Sequence, residues 1–399
     1  MRSRDTEIRA LQQQAAESPH RAEILERLGW AFIANARETF DPGFYSVAES
    51  CARCILTANP EQPGGLLLLG HVHHSLHRFE DAERIARQLV ELRGEWLDHG
   101  LLGDALMERG RIDEAAQHYQ IMMDVRPGPQ AYSRAAHIRW LRGDLNGAVD
   151  LMRRAVASVS PRDRESAAWM RTRLGRYLAQ QGKSAAAEDM ARRATAIIPD
   201  FPPALLLQGT LRLAARNCAT AIGPLQSAAA ANPLPDYQWA LLEALESCNQ
   251  SEQAARVRAA LVATGARNDG RTTALFLASQ EIDVRAALRL ARRELAERAD
   301  VHSYDAVAWA LAVNGEPEAA YQASRSALAE GTVDARILYH AGVIAAQVGR
   351  TAEAASLLRR ATDIDQMLLP SERARLAREN ARLVERATTC PETGINPNS

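Results

Sequence analysis

The sequence predicts an all-α solenoid of about ten helix-turn-helix units ending in a capping helix, and three observations carry that expectation. A chain of 399 residues exceeds what one ordinary hydrophobic core encloses, about 250 to 300 residues, so it forms either several domains or an elongated repeat. Of its residues 47% are hydrophobic but only 5% aromatic, and the apolar content is mostly Ala and Leu, strong helix formers that suit close helix packing. The sequence also repeats itself. A small-rich helix, a Gly-Arg or Gly-Asp turn and an Ala-Ala helix recur in LGDALMERGRIDEAAQHY from Leu102, RWLRGDLNGAVDLM from Arg139, LGRYLAQQGKSAAAEDM from Leu174 and HAGVIAAQVGRTAEAASLL from His340.

Aligned on the second-helix alanine, the units place Ala48, Ala82, Ala115, Ala148, Ala187, Ala221, Ala255, Ala287, Ala320 and Ala354 in phase, at spacings of 34, 33, 33, 39, 34, 34, 32, 33 and 34. Twelve residues before each alanine stands the first-helix position, held by Gly70, Gly103, Ala136, Gly175, Gly209, Glu243, Leu275, Ala308 and Gly342. In the first unit Gly29 lies seven residues too early, so NARETFDPGFYS, with its Asp41-Pro42-Gly43 turn signal, predicts a longer, protruding loop. Pro60, Pro127, Pro199 and Pro233 close several units by stopping the second helix.

This pattern resembles the tetratricopeptide repeat (TPR), a 34-residue helix-turn-helix with a Leu-Gly pair in helix A, an Ala in helix B and a terminal Pro. The resemblance covers ten repeats from Glu23 to Asp365, and 268–361 is also similar to a bacterial group made only of such units. It implies a right-handed superhelical solenoid. The predicted order is an N-terminal helix or leader over 1–22, repeats one to four over 23–157 and an extended junction over 158–166 marked by Pro161. Repeats five to ten follow over 167–370, then a polar capping helix over 371–387 with Leu376, Leu383 and Val384 on one side, and a disordered tail over 388–399.

The resemblance also implies that positions 2, 5, 9, 12 and 13 of each unit face a concave groove. The candidate groove residues are then Trp30, His71, His74, Asp104, His137, Trp140, Trp169, Arg176, Tyr237, Trp309 and Tyr339, and aromatics and Arg are the types that anchor interfaces. The implied partner is another protein or a peptide. A chaperone-tail clamp of Lys and Asn is not expected, because position 5 carries Glu26, Leu67, Gly100, Ser133 and Thr172.

Other chemistry finds little to stand on. HVHHSLH places His71, His73, His74 and His77 in one helix and its turn, and spacings of three and four let imidazoles share a face. His71, His74 and Asp104 are therefore a candidate metal set, the alternative being a maturation factor that handles a metal or cofactor, with His73 expected in the core. Cys51 and Cys54 read as buried helix-B thiols, while Cys218, Cys248 and Cys390 stand alone. Five cysteines in a chain this long suggest reduced thiols in a cytoplasm. MRSRDTEIRA has no apolar core of an export signal, although a segment removed before this start would leave the same sequence and a periplasmic protein. Acids (49) and bases (48) nearly cancel, and no continuous basic stripe argues for nucleic acid. No apolar run is long enough for a membrane span, no catalytic or nucleotide motif occurs, and neither enzyme activity nor a cofactor is expected.

Overall fold

A computed structural model describes residues 2–18 and 21–389, with α-helices, one 3₁₀ turn and no strand among them. Helix α1 (Arg2–Glu17) precedes a run of antiparallel pairs: α2 (Arg21–Thr39) with α3 (Gly43–Ala58), α4 (Pro63–Ser75) with α5 (Phe79–Leu92), and α6 (Trp96–Glu108) with α7 (Ile112–Val125). The run continues with α8 (Pro129–Leu141) and α9 (Leu145–Ser158), α10 (Arg164–Gln180) and α11 (Ser184–Ile197), α12 (Pro202–Ala214) and α13 (Cys218–Ala231), and α14 (Pro235–Ser247) and α15 (Ser251–Asn268). It ends with α16 (Gly270–Ser279) and α17 (Val284–Glu297), α18 (Val301–Val313) and α19 (Pro317–Leu328), α20 (Ala335–Gln347) and α21 (Thr351–Thr362), then the 3₁₀ turn and α22 (Pro370–Thr389). The even-numbered members from α2 to α20 are the A helices and their partners the B helices. The fold is a helical-repeat solenoid.

Small side chains fix the spacing of the pairs. Ala48, Ala82, Ala115, Ala148, Ala187, Ala221, Ala287, Ala320 and Ala354 are completely buried where A and B helices cross. A Cβ at Gly175 would come within 2.6 Å of Leu207 on the next A helix, and one at Gly342 within 2.6 Å of Leu358 on its own B helix. In α15 the buried alanine is Ala254, while Ala255 is exposed, which corrects the register read from the sequence by one residue. That shift makes both neighbouring spacings 33 and puts the fully buried Leu242, rather than Glu243, at the helix-A crossing.

The insertion in the first pair does not make a protruding loop. Seven extra residues are close to two helical turns, and α2 absorbs most of them by running 19 residues against 13 for α4. Its apolar stripe continues unbroken through Leu25, Leu28, Phe32 and Ala36. Only residues 40–42 separate α2 from α3, where the Gly43 N–H donates to Asp41 Oδ1 at 2.8 Å. Between α9 and α10 only residues 159–163 are non-helical. Of the expected disordered tail, residues 388 and 389 complete α22 and 390–399 lie outside the described residues.

The chain forms two compact units. Unit 1 comprises Met1–Trp140, Asn146–Met170 and Leu295–Asp300. The last segment is held in this unit by Arg298, whose guanidinium lies 5.1 Å from the Phe79 ring centre and pairs with Glu108 at 2.8 Å. Unit 2 comprises Leu141–Leu145, Arg171–Glu294 and Val301–Ser399, and in it the buried Thr332 hydroxyl donates to the Leu141 carbonyl at 2.5 Å. Cys218 and Cys248 form a disulfide between the first residue of α13 and the C-cap of α14, which corrects the expectation that both stand alone as reduced thiols. Cys51 is buried, and burial pushes its thiol up to about 11, but Cys54 is exposed rather than buried.

Candidate partner-binding faces

In unit 1 the A helices bring a polar cluster together with aromatic rings. Asp104 on α6 accepts from Arg134 Nε at 2.7 Å and Nη2 at 2.6 Å on α8, and from the Tyr119 hydroxyl at 2.7 Å on α7. Burial alone would raise the Asp104 carboxyl, but the Arg134 charge and these hydrogen bonds outweigh it and hold it below the usual range. Burial of the phenol and the neighbouring carboxylate drive Tyr119 far upward. On α4, His71 meets Trp30 of α2 edge to face at 5.1 Å, and His74 meets Phe79 at 5.4 Å. Burial, then the Arg37 charge, lowers His71 to about 3, and burial likewise lowers His74 against the opposing pull of Asp104. Both imidazoles are neutral near pH 7.

These atoms do not converge as a ligand set. Both Asp104 oxygens accept hydrogen bonds from Arg134 or Tyr119, and among the described residues no group of three or more His, Cys, Asp or Glu is placed to hold a metal. His73 is buried, with its Nδ1 3.9 Å from Asp81. Elsewhere in unit 1 His137 stacks on Trp140 at 5.7 Å, Trp140 is largely buried, and Trp169 is exposed.

In unit 2 a helix of the chain itself lies across the A helices. Glu243 on α14 accepts from the Ser371 N–H at 3.0 Å and the Ser371 hydroxyl at 2.5 Å, capping the start of α22 with an external carboxylate. Glu372 accepts from Arg336 Nε on α20 at 2.6 Å, and Arg336 also lies 4.9 Å from the Trp239 ring centre. Arg373 donates to the last carbonyls of α12, Leu213 at 2.6 Å and Ala214 at 3.1 Å. Arg375 lies 5.2 Å from the Trp309 ring centre and pairs with Glu281 at 3.1 Å. Burial pushes the Glu243 carboxyl up, and the Ser371 hydrogen bonds oppose this.

The unit 2 residues expected in a groove are therefore mostly covered. Trp309 is 1% exposed, stacked at 4.1 Å on His340, whose Nδ1 faces Asp305 at 3.0 Å; Tyr339 is also 1% exposed and Tyr237 8%. Arg176 alone of the four is exposed, at a recess of about 120 Å³ that it lines with Leu207, Asp236, Asp334 and Arg336. Leu376 and Leu383 of α22 are buried, whereas Val384 is exposed.

The sequence profile described as "Tetratricopeptide repeat" matches residues 101–167, the stretch holding the buried Ala115 and Ala148. The chain contains tetratricopeptide repeats. Its fold is similar to human IFIT1 solved as a dimer with PPP-AAAA, at 17% identity and a TM-score of 0.51 over 82% of this chain and 78% of that one. The IFIT1 dimer with m7Gppp-AAAA compares at 16% identity and a TM-score of 0.51, over 82% and 77%. A chain of the APC/C hetero-tetramer Cut9-Hcn1 compares at 15% identity and a TM-score of 0.48, over 84% of this TPR chain, which spans 58% of the length of that one. No curated protein sequence matches it.

Several site residues of this TPR protein escape a reading by groove position. Arg134 had a signal, since a basic residue at position 6 stands one repeat after the acidic Asp104 at position 9. The stacked pair His99 and His118, with Nδ1 atoms 2.8 Å apart, bridges α6 and α7 and had none, because its members are 19 residues apart on different helices. Burial lowers both; the His99 charge and then Arg87 lower His118 further, while Asp98 opposes the shift at His99.

Proposed function

We propose that this TPR protein is a protein–protein interaction scaffold that holds a segment of a partner against its A-helix faces. The observation that carries this reading is α22, a helix held across the A helices of unit 2 by side chains of three of them and by the last backbone carbonyls of a fourth. Unit 1 offers a comparable face with Trp30 half-buried beside His71 and Trp169 exposed. No helix among the described residues is long and apolar enough to cross a membrane. The metal-handling alternative has less support, because the Asp104 oxygens are already taken. A Cys218–Cys248 disulfide supports an oxidising compartment such as the periplasm over the cytoplasm. No catalytic role belongs to this reading.

The test is to pan displayed random 20-residue peptides on the purified full chain and measure the selected peptides by calorimetry. Trp30→Ala or Trp169→Ala should weaken binding to unit 1 by about 2 kcal/mol, roughly thirtyfold, if either is an anchor. A library that yields no binder, or binders indifferent to substitutions on the A helices of both units, refutes the proposal.

A further inference from the structure

We infer that the A-helix face of unit 2 is a receptor for the first turn of an arginine-rich helix that begins Ser or Thr, then Glu, and that α22 is its resident occupant, which a partner helix of that pattern displaces. The inference rests on the scaffold reading and adds the partner's chemistry. Three features of the docking of α22 carry it.

Recognition is concentrated in Ser371 to Arg375 and is polar. Glu243 takes the two donors of Ser371, Arg336 takes the carboxylate of Glu372, the ends of α12 take Arg373, and Trp309 with Glu281 takes Arg375. Each receptor group answers one feature of the sequence Ser-Glu-Arg-x-Arg, so another helix carrying it finds the same partners.

The apolar hold is slight by comparison. Leu376 and Leu383 are the large apolar side chains that α22 buries beyond its first turn, while Val384 is exposed. A helix held mainly by hydrogen bonds and ion pairs exchanges them for equal ones in a competitor at little net loss.

The occupant also fits the face loosely. A recess of about 440 Å³ along one flank is lined by Leu213, Arg216, Asp365, Arg373, Ala374 and Ala377, and beyond Arg373 α22 presents only the two alanine methyl groups to it. Another of about 400 Å³ lies along Arg375, Arg378 and Arg382. A partner helix with a larger apolar residue at the place of Ala377 fills the first recess and gains over the resident helix.

The experiment titrates fluorescein-labelled peptides of sequence 370–389, native or carrying Ala377→Leu, into the full chain and follows anisotropy. The tethered α22 competes at an effective concentration in the millimolar range, so the wild-type chain should bind the native peptide weakly. A full chain with Glu372→Gln should bind it at least tenfold more tightly, because the resident helix has lost its Arg336 pair. The Ala377→Leu peptide should bind at least tenfold more tightly than the native one. Adding Glu243→Gln to the Glu372→Gln chain should remove most of this affinity, and hydrogen exchange should show the amides of 371–385 released on binding. If Glu372→Gln fails to fold, Ser371→Ala serves as the released chain. No binding to a folded released chain, or binding indifferent to Glu243→Gln, overturns the inference. Unit 1 substitutions at Trp30 and Trp169 leave these titrations unchanged, so a failure here and a failure of the scaffold reading are told apart.

Discussion

Replacing Asp104 by Asn keeps the shape of the side chain and removes its charge. The carboxylate receives two hydrogen bonds from Arg134, at 2.7 and 2.6 Å, and one from the Tyr119 hydroxyl at 2.7 Å. Asn supplies one acceptor oxygen, while its amide group points donors at a guanidinium that has only donors. Breaking a fully buried pair by removing one partner costs about 3 to 5 kcal/mol, and exposed pairs are worth about 1 kcal/mol or less. The side chains here are 14% and 24% exposed, which sets the expectation between these limits. We expect a loss of about 2 to 3 kcal/mol, and for a unit of this size a fall in melting temperature of roughly 5 to 10 °C. Thermal circular dichroism at pH 7 on Asp104→Asn, Arg134→Met and the double variant closes a mutant cycle, in which the double variant should recover part of the loss. Zinc added to the wild type should not raise its melting temperature, since a ligand stabilises only a state that binds it. An Asp104→Asn variant that melts with the wild type, or a zinc-dependent rise lost in that variant, would refute the assignment of Asp104 to Arg134.

The register of α15 is tested by two neighbouring substitutions: Ala254→Leu should overpack the crossing and cost about 1 to 3 kcal/mol, whereas Ala255→Leu at the exposed site should change the urea midpoint little. The pH dependence follows from His71, lowered from 6.5 to about 3 in the fold. The unfolded chain binds a proton that the folded chain refuses, so this group's contribution is complete above pH 6.5 and falls as the pH drops toward 3, by up to about 1.4 kcal/mol per pH unit. His74 adds the same sign. Urea midpoints should therefore drop more steeply between pH 7 and 5 in the wild type than in His71→Gln, and parallel profiles would show that His71 is protonated in the fold.

The stacking of helices was legible because it depends on side-chain size at a fixed period. Gly103, Gly175, Gly209 and Gly342 stand where a Cβ would strike a neighbouring Tyr or Leu, and the completely buried alanines share their phase. Where two alanines adjoin, as Ala254 and Ala255 do, size cannot choose between them, and the sequence reading took the wrong one. The first insertion was misread because a Pro-Gly signal suggests a loop, while two whole turns of helix preserve the buried stripe of α2 at less disruption. Site residues were harder. Trp309 and Tyr339 occupy positions expected in a groove, yet α22, a helix more than 30 residues on in the chain, lies against them, with Arg375 over the Trp309 ring and lining a recess with Tyr339. Pairing of Cys218 with Cys248 also depends on the stacking of α12 to α14, which brings their Cα atoms to 5.7 Å across 30 residues.

The membership of the two units bears on how the chain matures during synthesis. Unit 1 takes Leu295–Asp300 as its last piece, about 125 residues after Met170 has left the ribosome. At about 5 to 20 residues per second, the first helix pairs wait roughly 6 to 25 s before Arg298 can reach Glu108 and cover Phe79. During that interval the Phe79 ring lacks its guanidinium neighbour and Glu108 its ion-pair partner. A fragment cut after residue 170 would lack those contacts permanently, so fragments for study should retain 295–300.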